Sequence, residues 1–221
     1  MAAGRVGPLL QELYQRLWEV WGPQSWWPGD TPFEVAVGAI LTQNTNWGNV
    51  ARAITALKDQ DLLTPQALHE LPETELARLI RPTGYYNLKA RRLKNFLDFL
   101  ANHFENSMAH LAAADLASLR PVLLSIKGVG PETADSILLY ALAKPTFVVD
   151  AYTFRILSRH GLIAEGCPYE ELRQLFMEHL PAQVPLYQEY HALLVRLGKE
   201  WCRPQPRCAA CPLEGWPAGR K

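Results

Sequence analysis

Apolar residues recur at helical spacing along most of the chain. Leu9, Leu10, Leu13, Leu17 and Val20 line one side of a helix predicted over 8–21. Helices are predicted at 33–41 and 50–58, with the polar segment Thr42-Gln43-Asn44-Thr45-Asn46-Trp47 between them. Short helices over 65–71 and 73–80 each follow a Thr or Pro that can cap or open them. Residues 81–100 begin as a turn and become amphipathic, with Leu93, Phe96, Leu97 and Leu100 on one side. Further helices are predicted at 115–126, 131–143, 151–160, 169–180 and 185–198. No stretch alternates like a strand, so the expected class is all-α. There is no low-complexity tract and no internal repeat.

The stretch from Leu123 to Asp150 organises the pattern. One helix ends at Ile126, the turn Lys127-Gly128-Val129-Gly130 follows, and Pro131 opens the next helix. Pro suits a first helical position, where its missing N–H costs nothing. The glycines permit positive φ and close backbone approach. Amide groups in such a turn, at a helix N-terminus, suit a phosphate oxygen. This is a helix-hairpin-helix pattern, which holds a nucleic-acid backbone without reading its sequence. Pro145 stops the second helix, and a short apolar run delivers Asp150 to the start of another.

Composition narrows the class. The chain has 221 residues, 48% hydrophobic and 20% charged, enough for one large domain or two small ones. Formal net charge is zero. That argues against indiscriminate coating of nucleic acid but allows a local basic face. No run of 18 apolar residues suggests a membrane span, and the N-terminus lacks the apolar core of a signal peptide. The expected setting is intracellular, in cytoplasm or nucleoid. Four Cys are then read as reduced thiols or metal ligands rather than disulfides.

"KGVGPETAD" followed by "VVDAYTFR" resembles the helix-hairpin-helix and Gly/Pro-Asp segment of the endonuclease III superfamily of DNA glycosylases. The resemblance covers most of the chain. It implies two helical lobes with a DNA groove between them. One lobe is a barrel of about six helices over 33–144, ending in the hairpin. The other joins 1–32 to 145–221 and carries a C-terminal Cys loop.

Within the superfamily, the matching aspartate is Asp150, expected to act on charge that develops as the N-glycosidic bond breaks. Its place before a helix also makes it an N-cap. Bifunctional members carry a lysine two residues after the second hairpin glycine, where it attacks the sugar as a Schiff-base nucleophile. Here that position holds Glu132, which cannot form an imine, so lyase activity is expected to be absent. Glu132 is retained as a candidate catalytic residue and equally suits the helix dipole.

Ser25-Trp26-Trp27-Pro28, together with Trp47, resembles the 3-methyladenine DNA glycosylase III branch, whose members remove alkylated purines. Trp26, Trp27, Pro28 and Trp47 are the implied base pocket, since an extruded purine needs aromatic faces and a cationic one stacks well on Trp. Gln43 matches the superfamily glutamine that fills the gap left by the base. With Lys127, Gly128, Val129 and Gly130 it makes up the implied DNA-binding set. Arg81, Lys89, Arg91, Arg92 and Lys94 form a basic stretch among Tyr85, Tyr86 and Asn87, read as a solvated face that can touch phosphate.

Cys202-x5-Cys208-x2-Cys211 resembles the endonuclease III [4Fe–4S] loop, which needs four thiolates spaced C-x6-C-x2-C-x5-C. The first gap is one residue short, and Pro217 stands where the fourth Cys would fall. Either Cys167 or a non-Cys group completes a cluster, or the loop is a relic, or three Cys and a His hold zinc.

The reading is a monofunctional base-excision repair glycosylase. It is expected to act as a monomer on alkylated purines in duplex DNA, 3-methyladenine first. Rivals are a glycosylase for uracil, thymine or oxidised pyrimidines, and a DNA-binding module without catalysis.

Overall fold

The computed structural model describes residues 6–216. Among them every regular element is helical and no strand occurs, as the missing alternation implied. The chain divides into two compact units, one of residues 27–144 and one of 1–26 with 145–221. Residues 27–32, assigned with the N-terminal segment from sequence, group instead with the first unit.

That first unit holds α2 (Pro32–Leu41), α3 (Trp47–Lys58), α4 (Pro65–Glu70), α5 (Glu73–Leu79), α6 (Tyr86–Phe104), α7 (Met108–Ala113), α8 (Leu116–Ser125) and α9 (Pro131–Ser136). These are eight α-helices rather than about six, because four are single turns or little more. α7 escaped the pattern because only Leu111 of its six residues is buried, although Ser107 caps it by accepting from the His110 N–H. α9 runs on as a π-helical stretch, Ile137–Ala141, ending near Ala143 at φ +49°. Ile137, Leu138, Leu139 and Ala141 are all buried, so hydropathy could not show where the winding widens. α2 is buried on nearly every side, and packs with α3, α6, α9 and the π-helical turn.

The second unit is built from α1 (Val6–Trp21), α10 (Ala151–Arg159), α11 (Tyr169–His179) and α12 (Val184–Glu200). Its core centres on aromatic rings: Phe147 and Phe176 stack with centroids 3.9 Å apart, and Tyr187 and Tyr190 meet Phe147 edge-on. The Tyr190 hydroxyl donates to the Leu10 carbonyl of α1 at 2.7 Å, which satisfies its polar tip inside the core. Among the described residues no helix is long and apolar enough to cross a membrane.

Two members of the basic stretch turn inward, contrary to the solvated face expected of it. Lys89 is 1% exposed, and its ammonium donates to the Leu41 carbonyl at 2.9 Å and the Thr83 carbonyl at 2.7 Å. Lys94 donates to the Leu68 and His69 carbonyls at 2.8 and 2.7 Å. Both satisfy carbonyls in or near the final turns of helices, which have no intrahelical donor and carry partial negative charge. Burial, with Arg92 nearby, pulls the Lys89 ammonium down to about 8. Burial likewise lowers Lys94, against the pull of Asp98 and Glu73.

Below about pH 8 Lys89 is protonated in both folded and unfolded chains. Above it the folded chain releases a proton that the unfolded chain keeps until about pH 10.4, so this group adds stability as pH rises. Urea unfolding of wild type and Lys89→Met at pH 7.5 and 9.5 is expected to show the difference shifting toward wild type by roughly 2 kcal/mol. A constant difference would show that Lys89 titrates normally.

Candidate active site

The hairpin joins α8 to α9. Gly128 sits at φ +100°, a conformation that disfavours any side chain, and a Cβ there would overlap the stem of Arg92. Val129 turns inward: its side chain is 5% exposed, and its N–H donates to the Ile126 carbonyl at 2.9 Å. Its amide is therefore spent within the turn, which distinguishes it from its place in the implied DNA-binding set. Gly130 and Lys127 are exposed, and Asn95 of α6 holds the Lys127 carbonyl at 2.7 Å. Arg120 of α8 makes a bidentate pair with Asp135 of α9, at 2.8 and 2.9 Å, with Asp135 fully buried. A paired geometry of this kind fixes the two helices of the hairpin on each other.

Gln43 lies just beyond α2, and its amide is fastened to the hairpin. Its Nε2 donates to the Gly128 carbonyl and to the Thr133 hydroxyl, each at 3.0 Å. Its Oε1 accepts from Arg92 Nη1. The expected gap-filling residue and the expected phosphate clamp are thus joined by side-chain bonds within one unit. At the head of α6, Tyr85 adopts φ +46° and is 74% exposed.

Trp27 and Trp47 meet edge to face with centroids 5.4 Å apart, and Tyr140 tilts against Trp27 at 5.1 Å. Gly38 of α2 is the floor beneath both indoles. Trp47 is the first residue of α3, three positions earlier than sequence suggested, because the Asn46 side chain caps the helix by accepting from the Asn49 N–H. Trp26 belongs to the other unit, where the Lys199 ammonium stands 5.0 Å from its ring centroid. The chain beside it is tied down by Glu189, whose two oxygens accept from the Gln24 and Ser25 amides. Pro28 is exposed. Glu132 is exposed in the first turn of α9.

Asp150 is the N-cap of α10. Its Oδ1 accepts from the Thr153 amide at 2.7 Å and the Thr153 hydroxyl at 2.9 Å. Its Oδ2 stands 3.6 Å from His191 Nε2, both side chains being nearly buried. Burial alone would push this carboxyl up. The His191 imidazole and the two Thr153 donors outweigh that, and hold Asp150 below its ordinary value. It is therefore a carboxylate at neutral pH, with one oxygen committed to the helix and the other directed elsewhere.

The Cys loop does not present a four-thiolate set. Cys202 is buried and its Sγ accepts from Arg159 at 3.4 Å, Cys208 is exposed, and Cys211 is half-buried. Cys167 lies in another loop and its thiol approaches the Pro168 carbonyl. Among the described residues no group of three or more His, Cys, Asp or Glu side chains is arranged to hold a metal, and position 217 lies outside them. Arginines also bind this loop: Arg155 donates to the Cys202 and Gly198 carbonyls, and Arg159 to those of Arg203 and Pro204. Trp216, 2% exposed, packs near His160 at 5.0 Å.

His191 and the Arg120–Asp135 pair escaped sequence reading, and Arg92 was read only as part of the basic stretch, without its contacts to Gln43 and Gly128. The signal for Asp135 is a carboxylate that stands two residues before the apolar run beginning at Ile137. That for His191 is a single imidazole in the buried run from Tyr190 to Val195.

A family model described as HhH-GPD superfamily base excision DNA repair protein matches residues 37–182. A Methanocaldococcus jannaschii protein provisionally described as a DNA repair glycosylase is 49% identical over 208 residues, covering 93% of this chain and 94% of its own length. Thermotoga maritima endonuclease III is 30% identical over 184 residues, covering 83% of this chain and 81% of its own. Among solved structures, the H. pylori 3-methyladenine DNA glycosylase bound to 1,N6-ethenoadenine superposes with a TM-score of 0.75 at 29% identity, covering 90% of this chain and 98% of that one. A non-covalent endonuclease III–DNA complex gives 0.79 at 22% identity, with coverage of 94% and 92%, a likeness of fold.

Gly128→Ala is expected to destabilise the chain by about 2 kcal/mol or more, since about 1–2 kcal/mol arises from left-handed backbone alone and overlap with Arg92 adds to it. Adding Arg92→Ala should relieve the overlap but not the backbone cost. Denaturant unfolding of the two single variants and the double variant checks this, and strict additivity would show that Arg92 does not press on the turn.

Proposed function

The chain belongs to the HhH-GPD superfamily of base excision repair DNA glycosylases, and on that premise we propose that it hydrolyses the N-glycosidic bond of alkylated purines, 3-methyladenine first, as a monomer and without cutting the strand. The observation that carries this reading is Glu132, exposed in the first turn after the hairpin where bifunctional relatives are expected to place their nucleophilic lysine. Lys89, whose amine is pulled down to about 8, is no substitute, because it is buried and bonded to two carbonyls.

The aromatic residues support the substrate class. Trp26 already carries a cation over its face in Lys199, and a cationic alkylated ring would bind such a face by the same attraction. Trp27, Trp47 and Tyr140 supply a second group of partly buried rings in the other unit. The similarity to the H. pylori 3-methyladenine glycosylase points the same way.

In this reading Asp150, ionised at neutral pH, faces the sugar through Oδ2. As the C1′–N bond breaks, its electron pair leaves with the base, and an alkylated cationic base departs neutral. Positive charge on the sugar is stabilised by the carboxylate. Water adds to C1′, its proton passes to Asp150 and then to solvent, and an abasic strand remains intact. Gln43 and the amides of the hairpin glycines hold the duplex. No step requires a cluster in the Cys loop.

A panel of duplexes containing alkylated purines, uracil, mismatched thymine or oxidised pyrimidines tests the substrate class. Methylated DNA should lose 3-methyladenine fastest, and preferential release of a pyrimidine would overturn the proposal. Borohydride added during turnover is expected to trap no enzyme–DNA adduct. A trapped adduct would show that some amine of the chain acts as nucleophile.

A further inference from the structure

Asp150 has two carboxylate oxygens in different circumstances. Oδ1 is doubly engaged by Thr153, which fixes it to the first turn of α10. Oδ2 has no such duty to the helix, and is the oxygen left for chemistry. The bonds at Oδ1 narrow the Cβ–Cγ torsion but leave it room to rock, because the well of a carboxylate torsion is broad. A misplacement near 1 Å at a reacting group can cost about a hundredfold in rate.

His191 stands where it would limit that rotation. It lies on α12, is 5% exposed, and its Nε2 is 3.6 Å from Oδ2. Its position is set by a rigid segment. Tyr190, Ala192, Leu193, Leu194 and Val195 around it are all buried, and the Tyr190 hydroxyl is tied to Leu10 of α1. α10 and α12 pack directly on each other within one unit.

We infer that His191 is a positioning residue for Asp150: its Nε2 holds Oδ2 at a fixed angle, so that the carboxylate presents one oxygen to the sugar while Thr153 retains the other. The inference rests on reading Asp150 as the acting carboxylate. It assigns to α12 a part in the reaction that the hairpin and the Gly/Pro-Asp segment do not contain. The capping bonds to Thr153 hold the acid to its helix, and His191 aims it.

The test compares His191→Leu, His191→Phe and His191→Gln with wild type and Asp150→Asn. Single-turnover release of 3-methyladenine from methylated duplex DNA is measured beside Kd for a duplex carrying a tetrahydrofuran abasic analogue, and beside Tm. His191→Leu and His191→Phe are expected to slow release at least tenfold with Kd within twofold of wild type. His191→Gln, whose amide nitrogen reaches to the place of Nε2, should recover to within threefold of wild type. Two apolar variants are used so that a folding failure of one leaves the other to decide.

Near-normal release by a folded apolar variant overturns the inference. So does a His191→Gln enzyme as slow as the apolar ones, or a loss that falls on Kd and Tm rather than on the release step. Asp150→Asn separates this from the reading beneath it. If that variant is inactive while His191→Leu is not, only the role of His191 is wrong. If Asp150→Asn itself releases the base normally, the carboxylate has been misassigned.

Discussion

The geometry of the first unit depends on the backbone at Gly128. The turn there is left-handed and so tightly pressed by the Arg92 stem that no side chain fits. Its carbonyl accepts from Gln43, and Arg92 also donates to that same glutamine. A backbone conformation, a cation on α6 and a polar side chain after α2 thus define one another. The Arg120–Asp135 pair performs the complementary task on the helices, holding α8 and α9 together beneath the turn. Excluding solvent from Asp135 is costly unless both its oxygens are satisfied, and the bidentate guanidinium achieves that.

The helices were legible because their caps and apolar stripes are local. Thr31, Asn46, Thr64, Asp115 and Asp150 each accept from an amide in the first turn that follows, whereas α7 has such a cap at Ser107 but no apolar stripe, and was missed. The hairpin and the Asp150 cap were legible for the same reason: each is a few adjacent residues with restricted backbone chemistry. What was not legible involves partners far apart in sequence. Lys89 looked like one member of a solvated basic face until the folded chain brought the Leu41 carbonyl to it. His191 lies in an apolar helix, 41 positions beyond the carboxylate it approaches. Arg92 gave no sign that it would lie over a glycine 36 residues away.

The C-terminal loop shows the same limit from the other side. Its three closely spaced Cys invite a metal reading, and within the chain the contacts that tie it down are charge-assisted hydrogen bonds from α10. Arg155 and Arg159 reach four carbonyls in or beside the loop, and Arg159 reaches one of the sulfurs as well. Such bonds to backbone acceptors depend on shape rather than on side-chain identity along the loop, so a pattern of residue types does not encode them.

The cap made by Asp150, joined to the catalytic role proposed for it, has an evolutionary consequence. Because its Oδ1 caps α10, most replacements at this position would loosen the helix as well as remove the acid. Asparagine is the exception, for it caps about as well as aspartate while carrying no charge. Aspartate and asparagine codons differ by one base. With Asp150 as the acting carboxylate we propose, a lineage can pass from a base-removing enzyme to a folded protein without that activity in a single mutational step, with little folding barrier between the two. On that reading, selection for base removal rather than for stability keeps a carboxylate at this helix start.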